Sequence, residues 1–214
     1  MAPVSRLIVA CATAIAIVLG SAGLAAAQTE VTAAERAEFD KRMFGKEPAA
    51  KANTYACFVR TYDADHLGRH PYQKVTSMKL LYTSEMFEGN TALDQHFRLG
   101  VTFRNKRGAY DSSGSCNHFR SDEAKGEIRF GCGVDCDGGG ISIAMNKDDK
   151  SVLVRLSRVR IWQNSKPDDE ASDSLVAGKD DAIFRLDRAP LEECRTLVTD
   201  RKELAALRAV SNRK

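Results

Sequence analysis

The sequence predicts an α+β fold that is mainly antiparallel β-sheet, built as a barrel or sandwich of seven or eight strands. Three observations support this prediction. Strand-like segments with period-two alternation fill about 135 residues in the middle of the chain. Each segment keeps one polar face, and helical patterns precede and follow the series. We divide the chain into an N-terminal helix and linker at 28–53 and a single β-rich domain at 54–214 that ends in a C-terminal helix.

The chain begins with a pattern typical of a secretory signal peptide. Arg6 is the only charged residue in 1–27, an apolar run covers 7–19, and an A-x-A motif ends at Ala27. Small residues in the second half favour a signal peptide over an uncleaved anchor. Cleavage near Ala27 leaves 187 residues with a net charge of +2. We therefore expect a periplasmic or secreted protein in an oxidising compartment, with no stable membrane insertion after cleavage.

A short helix is predicted directly after the signal peptide. Thr32 and Glu35 have the spacing of a capping box, in which each side chain bonds to the backbone of the other residue. Phe39 and Met43 are four residues apart and share one face. Because this helix is only weakly apolar, we expect it to lie on the surface of the β-domain.

Seven segments carry the strand pattern, and 96–104 is the clearest, with alternate apolar residues on one face. In 151–162 the alternation changes phase near Ser157 and Arg158, which predicts a β-bulge there. The seven segments are 54–62, 74–83, 96–104, 126–133, 140–146, 151–162 and 181–188. In outline, an exported chain with many antiparallel strands and a terminal helix packed outside resembles lipocalin-like barrels. The Gly-x-Trp motif of that family is absent from 54–62, so the resemblance implies architecture alone.

Two further segments complete the chain. Residues 163–181 carry six acidic side chains against two lysines, and they follow a strand that contains Arg155, Arg158 and Arg160. We interpret this segment as a solvated acidic loop resting on those arginines, with a mobile lid or binding loop as the alternative. From Pro190 onward, helical spacing returns and predicts the C-terminal helix.

Five cysteines remain after signal cleavage, so at least one is unpaired or pairs outside the chain. Residues 116–132 have the pattern of a hairpin that turns at 122–126. That turn places Cys116 and Cys132 directly opposite or diagonal to each other, and both arrangements permit a disulfide. A second disulfide, Cys57–Cys194, would fix the last helix to the first strand.

Cys136 is then left as the candidate free thiol, within the segment CGVDCDGGG (132–140). We interpret the segment as a hairpin turn in which glycines supply positive φ angles and aspartates cap backbone amides. Cys136 would serve there as an alternative disulfide partner or in a covalent dimer. A thiol nucleophile and an EF-hand-like metal loop are the alternatives. The first lacks a helix beginning at the cysteine, and the second lacks acidic residues at ligand positions.

The histidines do not form a recognisable metal or catalytic motif. His66 and His70 are four residues apart, but Gly68 and Pro71 predict that this segment is not helical, which rules out ligation from one helical face. Common catalytic and nucleotide-binding motifs are absent from the sequence, so we expect no metal and no cofactor. The near-neutral charge, and the lack of aromatic residues alternating with basic ones, predict no nucleic-acid partner.

Two hypotheses for function follow from the sequence. The first is a non-enzymatic, exported β-domain that binds a small apolar ligand or an envelope protein. The second is an envelope hydrolase or thiol enzyme that uses Cys136 or His118. A reactive, unbridged thiol beside an imidazole would favour the second hypothesis.

Overall fold

The computed structural model describes residues 30–86, 92–163 and 173–212. The predicted signal peptide lies outside these residues. The described part contains nine strands, β1 to β9, and three α-helices, α1 to α3. The strands are Thr54–Thr61, Val75–Glu85, Asp94–Phe103, Ala109–Ser121, Glu127–Gly133, Gly139–Met145, Ser151–Gln163, Asp173–Val176 and Ile183–Ala189. The helices are Ala33–Phe44, Ala64–Arg69 and Arg201–Ser211, with 3-10 turns at Asp122–Ala124 and Leu191–Leu197.

Eight of the nine strands form a closed antiparallel ring. Strands β1 to β7 pair in sequence order, and β9 closes the ring by pairing with both β7 and β1. β8 lies outside the ring and pairs only with the second half of β7. β7 also pairs with the start of β4, beyond the β5–β6 turn, so the ring is uneven. The predicted antiparallel fold is confirmed, and the closed ring identifies it as a barrel.

Side chains fill the interior of the barrel. The inward-facing positions of all eight ring strands contribute to one buried apolar cluster. Its largest aromatic members are each less than 2% exposed: Phe58, Tyr82, Phe97, Phe130 and Phe184. Such close-packed burial is the main source of stability for a domain of this size.

Helix α1 closes one end of the barrel. The predicted capping box is present, since Glu35 N donates to Thr32 Oγ1 and Thr32 N donates to Glu35 Oε2. Phe39 and Met43 belong to the interior cluster, at 4% and 0% exposure. Arg188 of β9 donates hydrogen bonds to the carbonyl of Met43. The helix therefore lies on the surface of the barrel, as expected, and its three buried apolar residues, Phe39, Met43 and Phe44, cover the open end.

The C-terminal segment packs against the outer face of β1 and β2. It forms a second apolar cluster with Tyr55, Cys57 and Leu81, which point away from the barrel interior. The sequence predicted one continuous helix, but the structure has a 3-10 helix and then α3, separated at 198–200. Asp200 accepts a hydrogen bond from Glu203 N and so begins α3 as its N-cap residue.

Two further predictions can be compared with the strands. The β-bulge is present, because β6 pairs with β7 through Gly140↔Arg158 and then Ile141↔Leu156, which leaves Ser157 without an opposite residue. The acidic segment 163–181 is not entirely a loop, since β8 lies within it. Leu175 of β8 is only 3% exposed, and the burial of this side chain explains why a polar segment forms a strand.

Candidate functional site

The structure contains two disulfides, Cys57–Cys194 and Cys116–Cys132. These are the two pairings that the sequence favours. Cys116 lies directly opposite Cys132 in the β4–β5 ladder. Cys136 is a free, exposed thiol. The two disulfides therefore stabilise the barrel, and among the described cysteines only Cys136 is available for thiol chemistry.

Cys136 lies in the turn that joins β5 to β6. It has a φ of 55°, and the next residue, Asp137, has a φ of 58°. The sequence predicted that glycines would supply the positive φ angles of this turn. In the structure Gly139 does so, but the non-glycine residues Cys136 and Asp137 adopt positive φ angles as well. Arg158 of β7 donates to the carbonyl oxygen of Asp137 and holds the turn against the barrel.

His118 lies away from this thiol and already forms a hydrogen bond with another side chain. Its Nε2 lies 2.9 Å from Asp40 Oδ1 of helix α1, and its side chain is only 7% exposed. His118 pairs with Phe130 in the ladder, while Cys136 lies beyond Gly133, the last residue of β5. At about 3.3 Å per residue, the two are offset by roughly 10 Å or more along the strand. The structure does not bring the imidazole and the thiol together.

A buried polar cluster surrounds this histidine–aspartate pair. Gln95 donates to Ser84 Oγ at 3.2 Å and approaches Asp40 Oδ2 at 3.5 Å. Tyr82 is fully buried, and its hydroxyl has no hydrogen-bond partner. Burial raises the pKa of Tyr82 well above its usual value, and the negative charge of Asp40 raises that pKa further. The cluster fixes α1 to the barrel by polar contacts within an apolar core.

The segment containing His66 and His70 was predicted wrongly. Helix α2 spans Ala64–Arg69, and His70 follows it as the C-cap residue. Asp63 begins the helix by accepting from His66 N, and Gly68 is tolerated because the helix is short and exposed. The two imidazole rings stack at 4.3 Å. Among the described residues, no group of three His, Cys, Asp or Glu side chains is placed to hold a metal ion.

A groove of about 1010 Å³ lies along the outer wall of the barrel, and we call it the outer groove. It crosses strands β4 to β7 and ends near the residues that precede α1. The residues that line it include Glu30, His118, Phe119, Arg120, Glu123, Arg129, Ser142, Arg155 and Ser157. Its volume is at the upper end of the range found for ligand sites in proteins.

Small residues on β5 and β6 create the outer groove. Residues that point outward alternate along these strands, and Gly131 and Ser142 occupy such positions opposite each other. Phe119 of β4 packs over Gly131, where an added Cβ would come within 3.2 Å of its ring. Ser142 is in turn opposite Arg155 of β7. Two small residues thus lie between a large aromatic side chain and an arginine.

Arg155 supplies the most unusual electrostatic feature of the outer groove. Its Nη1 is buried and has no hydrogen-bond partner among the described residues. Arg155 as a whole is half-buried, but this nitrogen has lost contact with water, and an N–H donor left without an acceptor is unfavourable. Arg129, by contrast, is 6% exposed and pairs with Glu127 at 2.8 Å. Of the three arginines that line the outer groove, Arg120 and Arg129 are thus ion-paired, whereas Arg155 has one nitrogen without an acceptor among the described residues.

The sequence did not predict the outer groove. Arg155 was expected only as one of three arginines beneath the acidic loop, and Gly131 and Ser142 had no predicted role. A signal is nevertheless present in the sequence, because the outward positions of strands β5 and β6 are small except at Glu127 and Arg129. A run of small residues on the outward face of neighbouring strands indicates a depression there.

Within the described residues, no helix is long and apolar enough to cross a membrane. No protein-family model matches the chain, and no curated protein and no solved structure is significantly similar to it. Function is therefore inferred from the chemistry of the barrel itself.

Proposed function

We propose that this protein is an exported, non-enzymatic binding protein of the cell envelope and that its binding surface is the outer groove. The observation that carries the proposal is the buried Nη1 of Arg155, which has no acceptor within the described ranges of the chain. A bound partner that supplies an acceptor would remove this cost. The two intramolecular disulfides are consistent with an oxidising compartment outside the cytoplasm.

The filled barrel supports this location for the binding surface. A small apolar ligand inside the ring would have to displace aromatic side chains such as Phe58 and Phe97, which are fully buried. The outer groove already offers space next to an aromatic ring and an unsatisfied donor. The proposal therefore favours an envelope partner at the outer wall over a small apolar ligand in the interior.

The positions of the nucleophile candidates support a non-enzymatic role. Cys136 is exposed in a turn, and His118 is hydrogen-bonded to Asp40 inside the barrel. A general base must reach the proton that it removes. The imidazole of His118 is committed to a structural contact and lies away from the thiol.

Photo-crosslinking in living cells tests the proposal. A photoreactive amino acid replaces Ser157, which lines the outer groove, or Ser113, which is an exposed serine on β4 outside the groove. We expect a discrete adduct from position 157 and none from position 113. We also expect the adduct to be lost when Arg155 is replaced by methionine. Equal labelling from both positions, or no adduct from either, would refute the proposed function.

A further inference from the structure

We propose that the outer groove binds a short, extended peptide segment and that Arg155 donates hydrogen bonds to a carboxylate of that segment. This inference rests on the proposed function and adds the chemistry of the ligand. Arg155 Nη1 is buried without an acceptor in the part of the chain that the structure describes, and a carboxylate forms strong, charge-assisted hydrogen bonds with a guanidinium group. The serine hydroxyl of Ser142, opposite Arg155 in the β6–β7 ladder, is a second polar group at this point.

The opposite end of the outer groove carries acidic side chains. Glu123 lies in the 3-10 turn between β4 and β5, and Glu30 lies just before α1, while Arg120 at this end is paired with Glu35. β5 begins at Glu127, immediately after the turn, and Gly131 marks the row that contains Arg155. Four residues of a strand extend about 13 Å. Measured along the strands, the carboxylate-binding end and the acidic end are thus roughly four extended residues apart.

The middle of the outer groove suits a peptide better than a polyanion or a lipid. Phe119 is 36% exposed and offers an aromatic surface next to Gly131. The hydroxyls of Ser142 and Ser157 can bond to peptide amides and carbonyls. The acidic end would repel a polyphosphate, and an acyl chain would cover the charged groups of the lining without giving them a partner. A peptide with a carboxylate at one end and a cationic residue about four positions away matches both charges.

Three synthetic peptides test the inference on the exported, signal-cleaved protein. The first is acetyl-Lys-Ala-Ala-Ala with a free C-terminal carboxylate, and the second is the same peptide as a C-terminal amide. The third, acetyl-Lys-Ala-Ala-Asp-amide, carries its carboxylate on the side chain of its fourth residue. Kd values are measured by NMR titration. We expect at least one carboxylate peptide to bind about tenfold more tightly than the peptide without a carboxylate, and the better of the two identifies the source of the carboxylate.

Two arginine variants locate the effect. In R155M the preference for a carboxylate should disappear, while R185M, which changes an exposed arginine on β9 outside the outer groove, should keep it. Both variants should retain the circular dichroism spectrum and the Tm of the parent. Filling the groove by Ser142→Leu should weaken all three peptides.

The outcomes separate this inference from the proposed function. Equal binding of the acid and amide peptides, or no binding of any peptide while position 157 still forms its cellular adduct, would overturn the carboxylate inference alone. Absence of that adduct when Arg155 is intact would overturn the proposed function itself.

Discussion

Asp40 of helix α1 and His118 of strand β4 form a buried hydrogen bond of 2.9 Å at the closed end of the barrel. Their side chains are 11% and 7% exposed. The pair joins residues that are 78 positions apart and ties the N-terminal helix to the ring. A histidine next to an aspartate is often read as a catalytic unit, but here both groups are used to hold a helix in place.

Removal of Asp40 should therefore destabilise the fold. In D40A, the buried imidazole loses its partner, and we expect the free energy of unfolding to fall by about 1–3 kcal/mol. Urea denaturation measures this change. D65A, which removes an exposed aspartate from α2, is the control and should stay within about 0.5 kcal/mol of the parent. A D40A variant as stable as D65A would show that the contact contributes little.

The two disulfides should differ in their contribution to stability. Cys57–Cys194 closes a sequence separation of 137 residues, whereas Cys116–Cys132 closes one of 16. In the chain-entropy model, the longer loop contributes about 5 kcal/mol and the shorter about 3 kcal/mol. Removing each pair as a double alanine variant and measuring urea denaturation tests this order. A larger loss for the short loop would contradict it.

The sequence predicted the features of this barrel that depend on local pattern. Alternation identified seven of the eight ring strands, and the phase change at Ser157 located the bulge, because both reflect which side of a strand faces the core. β4 was predicted only as the first arm of the 116–132 hairpin. The short turn limited that hairpin to two registers, and the structure has the one that places Cys116 directly opposite Cys132. β8 was missed because its few apolar residues lie in an acidic segment. Its pairing depends on β7, which local sequence does not reveal.

The candidate site was less predictable for a physical reason. The outer groove depends on which strands are neighbours, and Gly131, Ser142 and Arg155 become one row only when the ring closes. Helix α2 was missed because Gly68 lowers helix propensity. The hydrogen bond from His66 N to the N-cap residue Asp63 offsets that cost in this short helix.

Gly114 should be a sensitive position in the barrel. A Cβ there would overlap the carbonyl oxygen of Gly133 on the neighbouring strand, and backbone atoms in a closed ring have little freedom to move. We expect G114A to lower the free energy of unfolding by about 2 kcal/mol or more. G68A is the matched control. It meets nothing within 4 Å, and alanine favours the helix by about 0.5–1 kcal/mol.

Glu35 should make the anchoring of α1 sensitive to acid. Hydrogen bonds from Arg120, and then from the backbone of Thr32, lower the pKa of Glu35 from 4.5 to about 2. A lowered pKa means that the folded state favours the carboxylate. The stabilisation of the folded state by the ionised Glu35 is fully present above pH 4.5 and is lost as the pH falls through about 2. The difference in unfolding free energy between the parent and E35Q should therefore shrink over that range. A constant difference down to pH 2 would rule out this assignment.

Cys136 should be the only thiol that reacts in the folded, unreduced protein. It is exposed, while the other four described cysteines form disulfides. Alkylation without reduction, followed by peptide mass spectrometry, should modify one site per chain, and the kinetics should follow a single exponential.

If the thiol also joins two copies of the chain, a dimer should appear on a non-reducing gel at high protein concentration and vanish in C136S. C136S should bind the peptides of the outer groove like the parent, because the turn at 134–138 lies beyond Gly131 and Ser142. Weaker peptide binding in C136S would instead link the thiol to the groove and revive the interpretation of Cys136 as a functional nucleophile.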